Sequence, residues 1–463
     1  MFESNEYVHR RSQLKQTLAG GLVLIIGTGN IPLSSPYNSY PFRQDSTFAY
    51  FFGLQRPALA ALIDLDDGSE VLFGNEQSAE DMIWHGPHSH SLSSEAAAAG
   101  IAQVEPYMQL QQSIAAAQQQ QRMVHYVPPY RAETTAELAR LLNLSPDQVK
   151  AGASRALIEA IVHLREIKSP AEIAELERAQ VVAREMHIAA MRFAKPDVYE
   201  YEVVAEMERV LRRHNTYAPY IPIFSRHGEI LHNHTYDNLL HQGDLVVNDS
   251  GAASPHHYVA DITRTIPVGG RFSARQRAVY EVVLHAQQQC ITAIRPGVTY
   301  AEVHRSSAVH MVRGLSKLGL FRGDAEAIVD CGAYALCYPH GLGHQLGLDV
   351  HDMESYGEDL VGYDAGHRRS TLFGLRNLRL AKPLRAGMVI TVEPGIYFIP
   401  QLIANWENQG LHRDYIDYAC FNEYRDFGGI RIEDDVLVTD AGSRILGAPI
   451  PKTCEEIEAL MTF

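Results

Sequence analysis

The 463 residues include only five cysteines, and no two of them form a C-x-x-C pair. Cys290, Cys331, Cys337, Cys420 and Cys454 are an odd, scattered set. That argues against a disulfide framework or a zinc knuckle and for buried thiols in a reducing compartment. Positive charge is also short. With 40 Lys and Arg against 55 Asp and Glu, the formal charge is −15, so neither a nucleic acid nor an anionic membrane is an expected partner. No apolar run is long enough to span a bilayer, and the opening MFESNEYVHRR lacks the basic-then-apolar order of a secretory leader. A cytoplasmic protein without a membrane partner is the expectation. No internal repeat is visible.

What is present is ordinary globular material, 46% hydrophobic and 21% charged, in a length that suits two domains. GLVLIIG (residues 21–27) predicts a short buried strand. Residues 58–65 and 69–73, joined by Asp66-Asp67-Gly68, predict a β-hairpin. The aromatic stretch Tyr40 to Leu54 predicts a buried strand or helix edge. The Ala- and Gln-rich residues 94–123 predict helix with a soluble face. His85, His88 and His90 have no carboxylate pattern around them and are expected in a solvated loop. A boundary falls near Lys168, where Ser169-Pro170-Ala171-Glu172 carries the N-cap, N1 proline and N3 glutamate of a helix start. A long amphipathic helix follows, then a second from Glu200 to Arg213. Helices are predicted at 274–294 and 300–318. Strands are predicted at 245–248, 262–268, 389–393, 396–399 and 436–439.

The stretch with most chemistry is YPHGLGHQLGLDVHD (residues 338–352). Three imidazoles within twelve residues would each need a polar partner if buried, and Gly341 and Gly343 allow close approach of backbone to a ligand. The matching acids lie elsewhere. Asp249 ends LVVND, Asp261 opens the following strand, Glu393 ends VITVE, and Glu433 sits in RIEDD. Any one of them is equally well read as a strand-end acid hydrogen-bonded to a turn. Four such acids plus His344 form a hard, oxygen-rich set that suits two Mn²⁺, Co²⁺ or Zn²⁺ ions, and the absence of thiolates argues against structural zinc or iron–sulfur.

The ordered series LVVNDSG, ADITRTIPV, PHGLGHQLGLDVHD, TVEPGIYF and RIEDD resembles the pita-bread metallopeptidases, in particular the proline-specific branch that contains aminopeptidase P and prolidase. FRQDSTFAYFFGL (residues 42–54) is similar to the N-terminal domain motif of that branch. The resemblance covers nearly the whole chain. It implies an α/β N-terminal domain over 1–165, serving oligomerisation and the pocket edge. An α+β pita-bread catalytic domain, of the creatinase and methionine aminopeptidase type, would follow over 166–463. It further implies two divalent ions, Mn²⁺ foremost with Co²⁺ or Zn²⁺ as alternatives, and a homodimer or homotetramer acting on proline-containing peptides.

By position, the resemblance makes Asp249, Asp261, His344, Glu393 and Glu433 the metal ligands, with Asp261 and Glu433 shared between the ions. Glu393 would move the proton and His351 would hold the carbonyl oxygen. His232, His340 and Arg379 would bind substrate, and Arg431 would support the ligands from behind. Two departures stand out. The aspartates are twelve apart, one more than in the bacterial aminopeptidase P pattern, with the extra residue in the ASPHHY turn, and Ser250 replaces an alanine. A longer turn with unchanged ligands is expected, with His234, His256 and His257 in surface or turn roles.

The reaction expected is release of the residue before a proline at position two. Stretch MRFAKPDVYEYEV (residues 191–203) favours aminopeptidase P. Arg379, fourteen residues before Glu393, and the long insertion between Glu393 and Glu433 favour the alternative, a prolidase. A non-catalytic pita-bread module is a remote alternative, because such modules lose the metal ligands.

Overall fold

The computed structural model describes residues 1–35 and 37–462. They fall into two compact units: Met1–Arg165 with Met353–Leu360, and Glu166–Asp352 with Val361–Phe463.

In the first unit the GLVLIIG run forms the strand Leu22–Ile26, buried from Leu22 to Ile25. It sits in a five-stranded sheet ordered Gln103–Glu105, Glu70–Phe73, Ala60–Asp64, Leu22–Ile26, Val124–His125. Ala60–Asp64 and Glu70–Phe73 pair antiparallel. Gly68, at φ 79°, supplies the left-handed residue the tight turn between them requires. Both edge strands run parallel to their neighbours, and helices complete a mixed α/β unit.

The aromatic stretch resolves to a helix, Ser46–Phe52. Asp45 caps it by accepting from the Thr47 and Phe48 amides, and Phe48, Phe51 and Phe52 are buried. The helix expected over 94–123 is instead two helices, Leu92–Ala98 and Leu110–Gln119, with the strand Gln103–Glu105 between them. Gly100 at φ 75° ends the first, and residues 103–105 then pair with the sheet edge at Val71–Phe73. Tertiary pairing overrides local composition there. His85 ends the exposed helix Ala79–His85, and His88 and His90 are exposed.

The second unit opens on the helix Pro170–Phe193. The Ser169 hydroxyl accepts the Glu172 amide and the Glu172 carboxylate accepts the Ser169 amide, with Pro170 in the first turn. Ser169→Ala is expected to lower stability by about 1 kcal/mol, read as an earlier urea-unfolding midpoint with unchanged slope. Leu176, Ala179, Ala183, Met186 and Ala190 are buried on one face. Of these, Ala179, Ala183, Met186 and Ala190 join Met207, Val246, Ile262, Val283, Val312 and Ile430 in the main core.

Two antiparallel sheets matter for the site. One orders Ile262–Pro267, Leu245–Ser250, Ile223–Ser225, and the other Val389–Val392, Asp434–Val438, Ser443–Ile445. A ribbon of Gly395–Tyr397 with Gly429–Arg431 lies in the same unit. Ser250 pairs with Ile262 and Val392 with Asp434, so Asp249 and Asp261 share one strand-end and Glu393 and Glu433 another. The Glu433 amide donates to the Thr263 carbonyl at 3.0 Å, which ties the two ends together. Among the described residues no helix is long and apolar enough to cross a membrane.

Candidate metal centre

Strand alternation decides which side chains of NDS face the site. Asn248 and Ser250 point to one side. There the Ser250 hydroxyl donates to Asn248 Oδ1 at 2.9 Å, beside the buried His187 ring. Asp249 points to the other. The turn between the two aspartates is held by its own histidines. His257 adopts φ 66° and sets Nδ1 2.8 Å from the Tyr217 hydroxyl, while His256 meets Glu175 at 2.8 Å. Asp249 and Asp261 share the Tyr220 hydroxyl, at 2.8 and 2.5 Å.

The histidine stretch forms the opposite wall. Its backbone lies against Val389–Val392, with the Thr391 amide donating to the His344 carbonyl and the Glu393 amide to the Leu342 carbonyl. A Cβ on Gly343 would stand 2.3 Å from the Thr391 carbonyl oxygen, so this approach needs glycine. His344 places Nδ1 3.0 Å from the Gln345 carbonyl, which accepts its proton. That leaves Nε2 facing Asp261 Oδ2 at 3.4 Å and Glu393 Oε1 at 3.5 Å.

Of Asp249, Asp261, Glu393 and Glu433, the last is the most enclosed, 1% exposed. Its Oε2 accepts from Thr263 at 2.7 Å, while its Oε1 is buried with no hydrogen-bond partner among the described residues. Asp261, His344 and Glu433 each offer a donor atom, all within 4.8 Å of one another. Four carboxylates around one imidazole, one of them with an orphaned buried oxygen, are poorly compensated by protein alone. A divalent cation with oxygen and imidazole ligands fits them.

Arg431 stands behind the acids. It donates to Asp249 Oδ2 at 2.5 Å, to the Tyr397 hydroxyl at 2.8 Å and to Thr263 Oγ1 at 3.1 Å. Through Thr263 it reaches Glu433, and through Tyr397 it reaches His340 Nε2, 2.9 Å from the phenol oxygen. Of the three acids in RIEDD, only Glu433 faces the centre. Asp434 pairs with Arg264 at 2.7 Å and Lys452 at 2.6 Å, and Asp435 accepts the Asp261 amide at 2.9 Å.

Crowding shows in the acidities. Burial raises Glu393 to about 7 and Asp249 to about 6, and pushes Glu433 well above the carboxylate range. Asp261 is held below its ordinary value: burial opposes ionisation, but the His344 bond and charge prevail. The sign for the metal-free chain follows. Groups raised by folding stabilise below their unfolded pKa and lose that contribution as pH rises through the folded value. For Asp249 and Glu393 the window runs from roughly pH 4 to 7, with Asp261 opposing and losing its contribution on acidification. The chelated chain is therefore expected to melt lower at pH 7.5 than at pH 5.5, and divalent metal to remove the difference. Differential scanning calorimetry at both pH values checks this.

The remaining residues named from sequence gather at the same place. The His351 ring lies 4.3 Å from that of His344, edge-on. Burial and the nearby Arg431 lower His340 to about 3, so its ring is neutral. His232 is exposed and stacks beside His234 at 6.5 Å. Partial desolvation lowers its pKa, with the charges of Arg431, His234 and Arg379 adding to the effect. Arg379 is half-buried. Sequence reasoning missed Tyr220, Thr263, Thr391 and Tyr397. Tyr397 had a signal, following the acid motif in TVEPGIYF. Tyr220, far upstream in an unremarkable loop, had none.

Residues 174–440 match the model of metallopeptidase family M24, and residues 7–125 match that of the aminopeptidase P N-terminal domain. The chain belongs to metallopeptidase family M24. This M24 metallopeptidase is 32% identical to the Xaa-Pro aminopeptidase of Escherichia coli (strain K12), over 98% of its own length and 97% of the relative's. It is 31% identical to the Xaa-Pro dipeptidase of Homo sapiens, over 96% and 89%. Escherichia coli aminopeptidase P, solved with the inhibitor Pro-Leu, superposes at a TM-score of 0.80 and 30% identity, over 99% of this chain and 98% of that one. The same enzyme in complex with substrate also gives 0.80, at 29% identity. The M24 metallopeptidase thus has the expected architecture, an aminopeptidase P-type N-terminal domain followed by a pita-bread catalytic domain. The divalent ions its family implies have a fitting buried donor set in Asp261, His344 and Glu433.

Proposed function

We propose that this metallopeptidase hydrolyses the Xaa-Pro peptide bond, releasing the N-terminal residue from peptides with proline at the second position. The observation that carries this is the buried convergence of Asp261, His344 and Glu433, flanked by Asp249 and Glu393. The relatives named for that bond support it over nearly their whole length.

Asp249, Asp261, His344, Glu393 and Glu433 would hold two divalent ions, with Mn²⁺ the leading candidate. When bound, such ions acidify water and polarise a carbonyl. The protein's own groups do the rest. Glu393, at the rim with its side chain 19% exposed, takes a proton and delivers it to the leaving prolyl nitrogen. His351, beside His344, holds the carbonyl oxygen as it gains charge. Neutral His340, fixed by Tyr397, and His232 shape the place of the proline ring. A prolyl nitrogen carries no N–H, so its recognition rests on ring shape rather than on an amide hydrogen bond.

A second reading, Xaa-Pro dipeptidase, rests on Arg379, a half-buried cation acting on His232 where a free prolyl carboxylate would lie. The aminopeptidase reading predicts kcat/KM for Ala-Pro-Ala at least about tenfold above that for Ala-Pro, and less than about threefold loss for the tripeptide in Arg379→Ala. Cleavage of the dipeptide alone, abolished in Arg379→Ala, would replace it with the dipeptidase reading. Assembly into a homodimer or homotetramer through residues 1–165 completes the proposal. Its support is the helix Ala79–His85, which has no buried residue and exposes Met82, Ile83 and Trp84.

A further inference from the structure

The proposed reaction leaves unused a cavity of the catalytic unit. About 300 Å³ in volume, it is walled by the first turns of the helix Tyr300–Lys317, the end of the helix Ala325–Asp330, and the chain between Tyr363 and Ala381. Its inner surface is apolar, formed by Ala301, Val329, Tyr334, Tyr363 and Leu378. One polar group interrupts that surface. His304 is fully buried, with Nε2 3.0 Å from the Tyr334 hydroxyl and Nδ1 without a hydrogen-bond partner among the described residues.

The cavity is also lined by two arginines and one aspartate, Arg305, Arg368 and Asp330. Arg305 is engaged, by Asp330 at 2.8 Å and Glu326 at 3.5 Å. The next cation, Arg369, lies over the Tyr363 ring and donates to the Arg376 carbonyl. Arg368, between them on the rim, is exposed, and no ion pair or hydrogen bond engages it among the described residues. An apolar chamber of this size with one uncommitted guanidinium at its mouth selects a molecule with an apolar body and a single anionic head.

We propose that this cavity is a binding site for a small amphipathic carboxylate, its apolar body against Val329, Tyr334 and Leu378 and its carboxylate on Arg368. The site is separate from the metal centre, but the two share a wall. Asn377 donates to the Pro339 carbonyl at 3.0 Å, and a Cβ on Gly341 would stand 2.9 Å from Leu378 Cα. The segment that lines the cavity with Leu378 therefore backs His340-Gly341 and carries Arg379. Occupancy is expected to alter peptide hydrolysis without competing with substrate.

The test is calorimetric titration of the metal-loaded chain with 3-phenylpropionate, repeated after chelation because a carboxylate also binds divalent ions. The proposal expects one site with Kd below about 1 mM, unchanged by chelation. Affinity should fall at least about tenfold in Arg368→Glu and for the uncharged 3-phenylpropanamide. Ala301→Phe, which fills the chamber, should abolish binding with the circular dichroism spectrum unchanged. Because Arg368 is exposed and unengaged, its replacement leaves the fold intact and decides the matter if Ala301→Phe does not fold. Absence of heat up to about 10 mM, binding that disappears with the metal, or binding indifferent to Arg368→Glu would each overturn it.

Discussion

Glu433→Gln is expected to lower Xaa-Pro hydrolysis by about four orders of magnitude, equivalent to losing roughly 5 kcal/mol of transition-state stabilisation. The substitution keeps the shape of the side chain and its acceptance of the Thr263 hydroxyl. What it removes is the charge on a carboxylate 1% exposed, one of whose oxygens has no partner among the described residues. The chain should stay folded while its divalent metal content falls, and His344→Ala should behave alike, because its Nε2 faces Asp261 and Glu393. There is a sharper consequence. In the metal-free state Glu433→Gln relieves repulsion among Glu433, Asp261, Glu393 and Asp249, so the chelated variant should melt above the chelated parent. Turnover near the parental rate, or a chelated variant less stable than its parent, would contradict the assignment. Peptide-hydrolysis rates, plasma mass spectrometry and calorimetry provide the three readings.

The second large effect belongs to Arg431. Its guanidinium divides three bonds among Asp249, Tyr397 and Thr263, so Arg431→Met leaves Asp249 without its cation and His340 without the relay that fixes it. Removing one partner of a buried ion pair typically costs about 3–5 kcal/mol, and groups that orient metal ligands are worth about 10–100-fold in affinity or activity. Arg431→Met is therefore expected to lower the unfolding midpoint and to reduce kcat/KM about 100-fold. Arg431→Lys should recover little, since an ammonium cannot present three donors in a planar fork. Recovery by lysine to within twofold would show that charge alone matters there.

These expectations rest on residues of differing legibility. The acids at strand ends were readable because an ionised side chain beside an apolar run needs a stated partner. The helix starting at Ser169 was readable because its cap is local chemistry. The strand Gln103–Glu105 was not, because its pairing partner lies thirty-two residues away and the intervening composition favours helix. Tyr220 shows the same limit at the centre itself: no local pattern marks a tyrosine whose hydroxyl is shared by Asp249 and Asp261. His256 and His257 were readable only as turn residues, and that is what they are.

Ser250 illustrates how a departure from pattern is absorbed. A hydroxyl in place of a methyl at that position would disturb the centre if it faced the carboxylates. Strand alternation sends it to the far side, where it meets Asn248 and His187. Asp249, on the other face, meets the Tyr220 hydroxyl.

The central claim is that hydrolysis depends on divalent ions held by Asp249, Asp261, His344, Glu393 and Glu433. The direct measurement is stepwise return of Mn²⁺ to the chelated chain, recording bound metal and Ala-Pro-Ala cleavage on the same samples. The account predicts no cleavage in the metal-free chain and full recovery as occupancy approaches two ions per chain. Cleavage that persists without divalent metal, or a chain that binds none, would contradict it.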